Sequence, residues 1–270
     1  MSPCDTHSSS DLISLAQSKM SDIDSEELLE IIVILQHRLP ELYTDIIALA
    51  RSATPRDQEL AADILGQGRV ENKSMGSECV AELRRILSEA SDSSLLTSAI
   101  HAIGHRRDAG IIDAVLPFAP HENADVRHAV ASSLGGCDDD EAIEALITLS
   151  SDPDYDVRNW ATFGIGNLSE RDTPEIRDAL AARLNEEGEE AHGEALLGLT
   201  IRRDPRAIEP LLKHLNESTD GDLIPLVWDC VERLIEFRNE YSPEWSPVFK
   251  VLDEKFPNYK GPTWLLSENR

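Results

Sequence analysis

Histidine is the side chain in this sequence that is best suited to binding a metal or to acid–base catalysis near neutral pH. The chain has eight histidines, and of the five in its central part only one has an acidic neighbour, in His121-Glu122. A catalytic metal needs about three protein ligands at coordinating distance, and a nucleophile needs an adjacent base. Neither pattern occurs, so we expect no metal, no cofactor and no catalytic residue. The five central histidines are His101, His105, His121, His128 and His192.

The four cysteines, Cys4, Cys79, Cys137 and Cys230, lie far apart and form no CxxC pair. Zinc knuckles and disulfide frameworks need closer or regular spacing, so a reducing compartment fits the chain best. The first residues lack the basic start and apolar run of a secretory signal, and no later run is long enough to span a bilayer. We therefore expect a cytoplasmic protein with no membrane partner.

Acidic residues dominate the charge of the chain, with 51 Asp and Glu against 25 Lys and Arg and a formal net charge of −26. Proteins that bind nucleic-acid phosphates or anionic membranes use clustered lysines and arginines, so neither partner is expected. A basic protein is the partner that such a field attracts best. The alternative is that the surplus acid only keeps an extended surface in solution.

A sequence repeat organises the chain. Segment 125–135 returns as segment 156–166, 31 residues later, and segment 94–104 keeps the same small and apolar positions. Looser copies run over residues 58–66 and 191–200. A fixed period of this length is typical of stacked repeats, because one short unit cannot bury its apolar face alone. The spacing within each copy is helical, and strand patterns are essentially absent.

Each copy is predicted to be the second helix of a helix pair. Asp125 and Asp156 are expected to cap these helices by accepting from free backbone N–H groups. The glycines that end the copies, Gly104, Gly135 and Gly166, are expected to close the helices as left-handed or turn residues. Apolar or small residues three and four positions apart form a packing stripe. In the two best copies this stripe comprises Val126, Ala129, Val130, Ser133, Leu134, Val157, Trp160, Ala161, Gly164 and Ile165.

Aligning the second helices places their other positions in columns. The repeat resembles that of HEAT-type arrays, in which the second helix of each pair lines the concave side, so the resemblance implies that these columns form the binding surface. The candidate partner-binding residues of this concave face are Asp63, Thr97, His101, Arg127, His128, Arg158, Asn159, Phe163 and His192. For Arg127 and Arg158, a structural ladder with Asp125 and Asp156 is the alternative.

The loops that join the two helices of a unit hold more acid than helix capping requires. They are expected on one edge of the array, where they form an acidic rim that steers a basic protein. Solubility alone is again the alternative. The opposite edge holds arginines such as Arg106, Arg171 and Arg202. The rim residues are Asp152, Asp154, Glu186, Glu187, Glu189 and Glu190.

The Asp-Val-Arg-x-x-Ala-x-x-x-Leu-Gly phrase and the Asp-Pro turns at Asp152 and Asp204 resemble HEAT-like repeats of the short bacterial type, called PBS-lyase repeats. The resemblance covers about residues 41–216. It implies an all-α protein, a right-handed α-solenoid of helical hairpins with atypical N- and C-terminal caps. We expect residues 1–20 to be disordered and residues 21–270 to form a single solenoid. Its C-terminal end is expected to be capped by the aromatic residues of about 220–260, with Trp264 beyond the cap.

Three kinds of enzyme resemble this array. Iron-dependent deoxyhypusine hydroxylases carry His-Glu pairs in successive repeats, a set that this chain lacks. Alkylpurine DNA glycosylases use a basic groove, whereas the columns here include Glu59 and Asp63. The bilin lyases share the repeat, yet nothing in the sequence specifies a tetrapyrrole site. The resemblance is therefore specific for fold and not for activity.

These observations favour a non-catalytic protein-interaction scaffold that uses its concave face and its acidic rim. A sharper hypothesis is an acidic inhibitor or immunity protein that masks a basic protein or a nuclease toxin. The alternative is a lyase-type enzyme or a small-ligand binder that uses the concave groove.

Overall fold

Helices make up the regular structure of this protein, as the sequence predicts. The computed structural model describes residues 8–20, 26–70, 73–107, 110–186, 189–218 and 225–257. These ranges contain fifteen α-helices and no β-strand, so the all-α prediction is confirmed. None of the described helices combines the length and the apolar character needed to cross a lipid bilayer.

The chain divides into two compact units, residues 1–133 and 134–270. The first unit contains α1 (Ser9–Lys19), α2 (Glu26–His37), α3 (Leu39–Ala50), α4 (Pro55–Gln67), α5 (Lys73–Glu89), α6 (Ser93–Arg106), α7 (Ile111–Val115) and α8 (Ala124–Leu134), which ends at the division. The prediction of one continuous solenoid over residues 21–270 stays a prediction.

The second unit contains α9 (Asp140–Leu149), α10 (Tyr155–Phe163), α11 (Pro174–Arg183), α12 (Glu189–Ile201), α13 (Ile208–Glu217), α14 (Pro225–Glu236) and α15 (Ser246–Lys255). Within each unit the helices pack as stacked hairpins do. In the first unit α4 lies against α6, and in the second α12 lies against both α10 and α14. The solenoid-like fold is therefore confirmed within each unit.

Three second helices begin at caps that are 31 residues apart, Asp92, Asn123 and Asp154. In each case one side-chain oxygen accepts from the backbone N–H groups two and three residues later. The predicted caps, Asp125 and Asp156, lie in the first turn instead. Their charge still favours the positive end of the helix, which is why an acid in the first turn resembles a cap in the sequence.

Gly104 lies inside α6 and does not close it. A Cβ atom at this position would lie 2.5 Å from Oγ of Ser133, so the close approach of α8 requires glycine here. The left-handed residues that follow second helices are Arg107, at φ 47°, Gly136, at φ 79°, and Arg203, at φ 56°. The predicted closing role is therefore wrong for Gly104. Gly166 also differs, because it lies in a π-helical turn, Gly164–Leu168, that extends α10.

The packing stripe is buried as predicted, with one exception. Val157 and the other aliphatic members are fully buried, whereas Trp160 is 40% exposed. The residues 31 positions before and after it, Ala129 and Ala191, are both fully buried. An indole is too large for a place that holds a methyl group in a close-packed interior. Its ring therefore lies at the surface, edge-on to Phe163 with 5.8 Å between ring centroids.

The disorder expected for residues 1–20 does not extend to their described part, which forms α1. The hydroxyl of Ser8 caps this helix by accepting from the backbone N–H of Asp11 at 3.2 Å. Leu12 and Ala16 are fully buried, and α1 packs against α2 and α4. The apolar residues have helical spacing, a signal that the high serine content of the segment conceals.

Aromatic residues near the C-terminal end of the described chain pack onto one another. Trp245 is fully buried, and its ring lies 4.9 Å from that of Tyr241. The Tyr241 hydroxyl donates to the carbonyl of Thr200 at 3.0 Å, which joins this segment to α12. Trp264 lies outside the described residues.

Candidate functional site

The second helices are α4, α6 and α8 in the first unit and α10, α12 and α14 in the second. We call the surface formed by their partly exposed polar side chains the second-helix face of each unit. The residues predicted for the concave side all lie on these helices.

Two histidines meet on the second-helix face of the first unit. The ring centroids of His101 and His128 are 6.0 Å apart. Nδ1 of His101 lies 3.1 Å from Oγ of Ser132, and that hydroxyl also donates to the carbonyl of Ala129 at 3.0 Å. Because a hydroxyl has a single proton, His101 is the donor in its contact with Ser132.

The 31-residue repeat places the two members of this serine–histidine pair at the same position of neighbouring helices, and the packing of α6 against α8 brings them into contact. Burial, followed by the charges of His128 and His105, lowers the pKa of His101 to about 4. An imidazole with such a pKa is a weak general base, and the Ser132 proton is already engaged. The pair suits a contact between α6 and α8 better than it suits a nucleophile.

A pair of carboxyl groups lies one turn apart on α4. Glu59 is 9% exposed. Burial, and then the charge of Glu59, raise the pKa of Asp63 to about 7. In the described part of the chain neither carboxyl accepts a hydrogen bond or pairs with a cation. On α6, the hydroxyl of Thr97 donates to a carbonyl of its own helix at 2.9 Å.

Arg127, Arg158 and His192, predicted for the concave face, reach back to the loops within their repeats. Arg127 donates to the carbonyls five and six residues earlier at 3.0 and 2.8 Å. Arg158 makes the same bonds at 3.0 and 2.7 Å. Nδ1 of His192 donates to the carbonyl eight residues earlier at 2.9 Å. These contacts stabilise the loops, which favours the structural alternative in a different form, with carbonyls in place of the predicted aspartates.

The acidic rim is largely engaged within the chain. Asp152 is 8% exposed and accepts from the backbone N–H of Asp154 at 2.9 Å. Asp154 itself caps α10. Glu186 pairs with Arg158 at 3.2 Å and with Arg183 at 2.5 Å. These three acids have structural partners, so loop composition overstates the free charge of the rim.

Of the remaining rim residues, Glu187 lies outside the described residues, and so does the side chain of Glu189. Glu190 is exposed, and it belongs to the second-helix face rather than to a loop. Its carboxylate accepts from Nδ2 of Asn159 at 3.1 Å. Together with the Arg158–Glu186 pair, this contact joins two predicted rim residues to two predicted concave residues.

A second contact of the same kind lies one turn further along α12. Nδ2 of Asn167 donates to the carboxylate of Glu194 and, at 3.4 Å, to its carbonyl. Among the described residues, the amide oxygens Oδ1 of Asn159 and Asn167 are both buried without a hydrogen-bond donor. Buried acceptors without a donor are costly and rare in proteins.

Further acids continue this arrangement on α14. Burial raises the pKa of Glu194 to about 7, and the charges of Asp229 and Glu190 add to the effect against the lowering contact with Asn167. Burial and the charge of Glu232 raise the pKa of Asp229. We call Glu190, Glu194, Asp229 and Glu232 the acidic row. The sequence analysis did not single out Glu194, Asp229 or Glu232. Asp229 and Glu232 lie on α14, outside the clear repeats, and Glu194 lies on α12, in one of the looser copies.

Apolar surface borders the acidic row. Trp160 and Leu168 are each 40% exposed, and Phe163 is partly exposed. A cavity of about 450 Å³ lies between the π-helical turn, α12 and α14. Its described lining includes Leu168, Leu197 and Asp229, with Arg233 as its cation. The guanidinium of Arg233 lies over the ring of Phe237, 4.1 Å from its centroid.

A larger cavity, of about 1070 Å³, lies between α11 and α13. In it Nε2 of His192 lies 2.9 Å from Nε2 of His214. Since Nδ1 of His192 carries its proton toward a carbonyl, neutral His192 accepts at Nε2 and His214 donates. The cavity lining balances cations such as Lys213 against acids such as Glu209.

Within the described ranges no three His, Cys, Asp or Glu side chains come together in a way that could hold a metal ion. The expected absence of metal and cofactor stays a prediction.

Comparison with known proteins relates the chain to one family and one bacterial protein. HEAT repeats match residues 80–166 and 147–224. Protein YibA of Escherichia coli strain K12 is 38% identical over 101 residues, which are 37% of this chain and 36% of YibA. The match thus spans about a third of the relative's length.

Solved structures extend the likeness in fold. The X-ray structure of E. coli YibA superimposes with a TM-score of 0.74 at 24% identity, over 94% of this chain and 89% of that one. A crystal structure of an engineered protein gives a TM-score of 0.51 at 20% identity, over 82% and 68% of the two chains. Because the repeat matches together cover more than half of the chain, this protein belongs to the HEAT-repeat family.

Proposed function

We propose that this protein is a cytoplasmic protein-interaction module that binds a basic protein. In its sharper form the proposal is an inhibitor or immunity protein that masks a basic toxin or nuclease. Repeat scaffolds of this kind present extended surfaces to partners, and the net charge of −26 makes a basic partner the favoured one.

The observation that carries the proposal is the way the chain uses its arginines. Arg202 is 7% exposed and donates only to backbone carbonyls in the described residues. Arg106 donates to the carbonyls of Leu65 and Gly68 at 2.6 and 2.9 Å. Arg127 reaches loop carbonyls in the same manner. In the described residues Arg202 and Arg106 are turned toward uncharged groups, so these two do little to offset the acids at the surface.

Charge of this kind acts mainly on the encounter of two proteins. A field of one sign raises the association rate of an oppositely charged partner and loses this effect as salt screens it. Solubility is a sufficient reason for surface acid in general. It does not account for acids crowded so closely that neighbouring charges add to burial in raising the pKa, as Asp229 does for Glu194 and Glu232 does for Asp229.

The enzymatic alternative receives less support. The Ser132–His101 pair joins a hydroxyl that already donates to a carbonyl and an imidazole whose pKa is lowered to about 4. The larger cavity has acids and cations in balance and no serine, threonine or cysteine among its described lining residues. A small ligand there would meet no concentrated charge.

The proposal is tested by capturing partners on the immobilised chain from a lysate of its own cells and eluting them with rising salt. We expect a basic protein that is released between low and moderate ionic strength, because screening weakens its attraction. If that partner is a toxin, its activity should fall when this protein is added in equal amount. A captured partner that is acidic, or one whose binding ignores salt, would contradict the proposal.

A further inference from the structure

Resting on the proposed function, we infer that the acidic row binds arginine side chains of the partner, carried on an extended segment that crosses α12 and α14. The guanidinium groups lie on the carboxylates of the row, and the apolar side chains between them lie on the exposed border of Trp160 and Leu168.

The first support is the hydrogen-bonding character of the face. The Nδ2 groups of Asn159 and Asn167 donate hydrogen bonds to the carboxylates of Glu190 and Glu194, respectively. What remains accessible at these positions is a set of acceptors, namely the carboxylate oxygens of exposed Glu190 and partly exposed Glu194. A ligand rich in N–H groups supplies what this set lacks.

The second support is electrostatic. Burial and neighbouring carboxyls raise the pKa of both Glu194 and Asp229, so a full negative charge on this row is costly in the free protein. A cation on the row removes that cost. Arg233, the cation in the described lining of the adjacent cavity, lies against Phe237 instead.

Arginine fits this row better than lysine does. A guanidinium presents five donors in a planar fork that can meet two carboxylates at once, and it stacks on aromatic rings. Trp160 and Phe163 offer such rings beside Asn159, on the helix adjoining the row. An ammonium group offers three donors and a compact, strongly hydrated charge.

The geometry also restricts the segment. Neighbouring packed helices lie about 8–10 Å apart, and a segment in the extended polyproline II conformation advances about 3.1 Å per residue and brings every third side chain to the same side. Arginines three positions apart therefore match acids on successive helices. The cavity of about 450 Å³ beside Leu168 and Leu197 can hold an apolar side chain of the same segment.

The test uses short fluorescein-labelled peptides with two arginines three positions apart and a leucine between them. The first control peptide replaces both arginines with lysine, and the second places the arginines side by side. Fluorescence polarisation at low salt measures Kd for the whole protein. We expect the spaced arginine peptide to bind at least about fivefold more tightly than either control.

The variant Glu194→Gln with Asp229→Asn should weaken this binding about tenfold or more. Glu209→Gln with Glu217→Gln removes the same charge from exposed positions on α13 and should weaken it less than about twofold. Trp160→Ala, which removes an exposed ring, should weaken it about threefold to tenfold. Thermal melts show that each variant is folded.

Equal binding of the arginine and lysine peptides, or equal losses in the two double variants, would overturn the inference. The experiments distinguish a wrong binding site from a wrong proposed function. If Glu194→Gln with Asp229→Asn still captures a basic partner with unchanged affinity, the site is wrong and the function stands. If the spaced peptide binds as expected but the chain captures no basic protein, the function is wrong and the site stands.

Discussion

Each unit carries a pair of carboxyl groups one turn apart on a second helix, Glu59 with Asp63 on α4 and Glu190 with Glu194 on α12. In both pairs the second carboxyl has a pKa raised to about 7, with burial as the first cause. Local spacing is therefore the same in the two places.

The surroundings of the pairs differ. Glu59 is 9% exposed, whereas Glu190 is exposed and accepts from Asn159. On α14, Asp229 adds negative charge beside Glu194. Burial and one neighbour on the same helix raise the pKa of Asp63, whereas acids from two helices share a more accessible face around Glu194 and make a surface that attracts cations. The comparison teaches that neighbours from other helices decide which of two similar pairs can bind a partner.

The largest expected difference between the units concerns two arginines, each just before a left-handed residue. Arg202 donates to five carbonyl-bearing residues and Arg106 to two; the five are Ile165, Gly166, Ser169, Arg171 and Gly198. Arg202→Met should lower the free energy of unfolding by about 3–5 kcal/mol, and Arg106→Met by about 1–2 kcal/mol, because buried carbonyls lose their donors. Urea unfolding measures both. Equal losses in the free energy of unfolding would show that the two arginines contribute equally to stability, which would contradict this prediction.

The next prediction concerns the pH dependence of stability. A carboxyl whose pKa is raised from its unfolded value of about 4 to about 7 binds its proton more tightly in the folded state, so stability falls as pH rises from about 4 to about 7. Asp63→Asn and Glu194→Gln remove this loss. Relative to the unmodified protein, each should be more stable at pH 8 and should gain clearly less at pH 5. The gain is about 1–2 kcal/mol for Asp63 and less for the more exposed Glu194.

Calorimetry at the two pH values tests this, with Glu217→Gln as the matched exposed control. His101 acts in the opposite sense at lower pH. Its lowered pKa means that stability is lost as pH falls from about 6.5 toward 4. The comparison must therefore be made as the difference between variant and unmodified protein. A gain at pH 5 as large as that at pH 8 would show that the substituted carboxyls are not the cause.

Association kinetics should separate the rim from the acidic row. Glu186 is held by Arg158 and Arg183, so Glu186→Gln should cost up to about 1 kcal/mol of stability and change the association rate less than twofold. Glu190→Gln with Glu194→Gln should slow association severalfold at low salt, and the difference should vanish at high salt. Stopped-flow mixing with the spaced arginine peptide measures the rates. A larger rate effect from Glu186 would restore the rim as the steering surface.

The smallest effect is expected at the Ser132–His101 pair of the first unit. Ser132→Ala should change stability by less than about 1 kcal/mol, because one hydrogen bond to a neutral side chain is lost. Hydrolysis of activated esters by the unmodified protein should not exceed the background rate. Turnover that disappears in Ser132→Ala would instead make this pair catalytic and weaken the comparison between the units.

Much of the fold follows from local pattern. The 31-residue repeat, the valines of the stripe and the helical spacing predict stacked helices, because periodicity specifies which face each helix buries. Trp160 shows the limit of this inference. It occupies a stripe position by spacing, yet its size places it at the surface. The space available for a side chain at a stripe position depends on the helix that packs against it, and the repeat pattern does not predict that space.

The candidate site was less accessible to sequence reasoning. Asn159 and Glu190 were both identified, but as members of a concave column and of a rim, and their contact joins the two. Arg127 and Arg158 were identified by column, although their long side chains turn back to the loop carbonyls. A column position specifies where the Cα atom of a residue lies. The guanidinium group of a long, flexible arginine side chain can lie elsewhere, at a strong hydrogen-bond acceptor within its reach.

By itself, the sequence determined the helical class, the repeat period, the buried stripe and the excess of negative charge, because each depends on residue order or on a sum over residues. Only the tertiary structure decided which charges remain available. It turned Arg202 and Arg106 toward carbonyls, engaged Asp152 and Glu186 within the chain, and placed Glu194 beside Asp229. The physical reason is that electrostatic interaction depends on distance and burial, and both are set between helices that lie far apart in sequence.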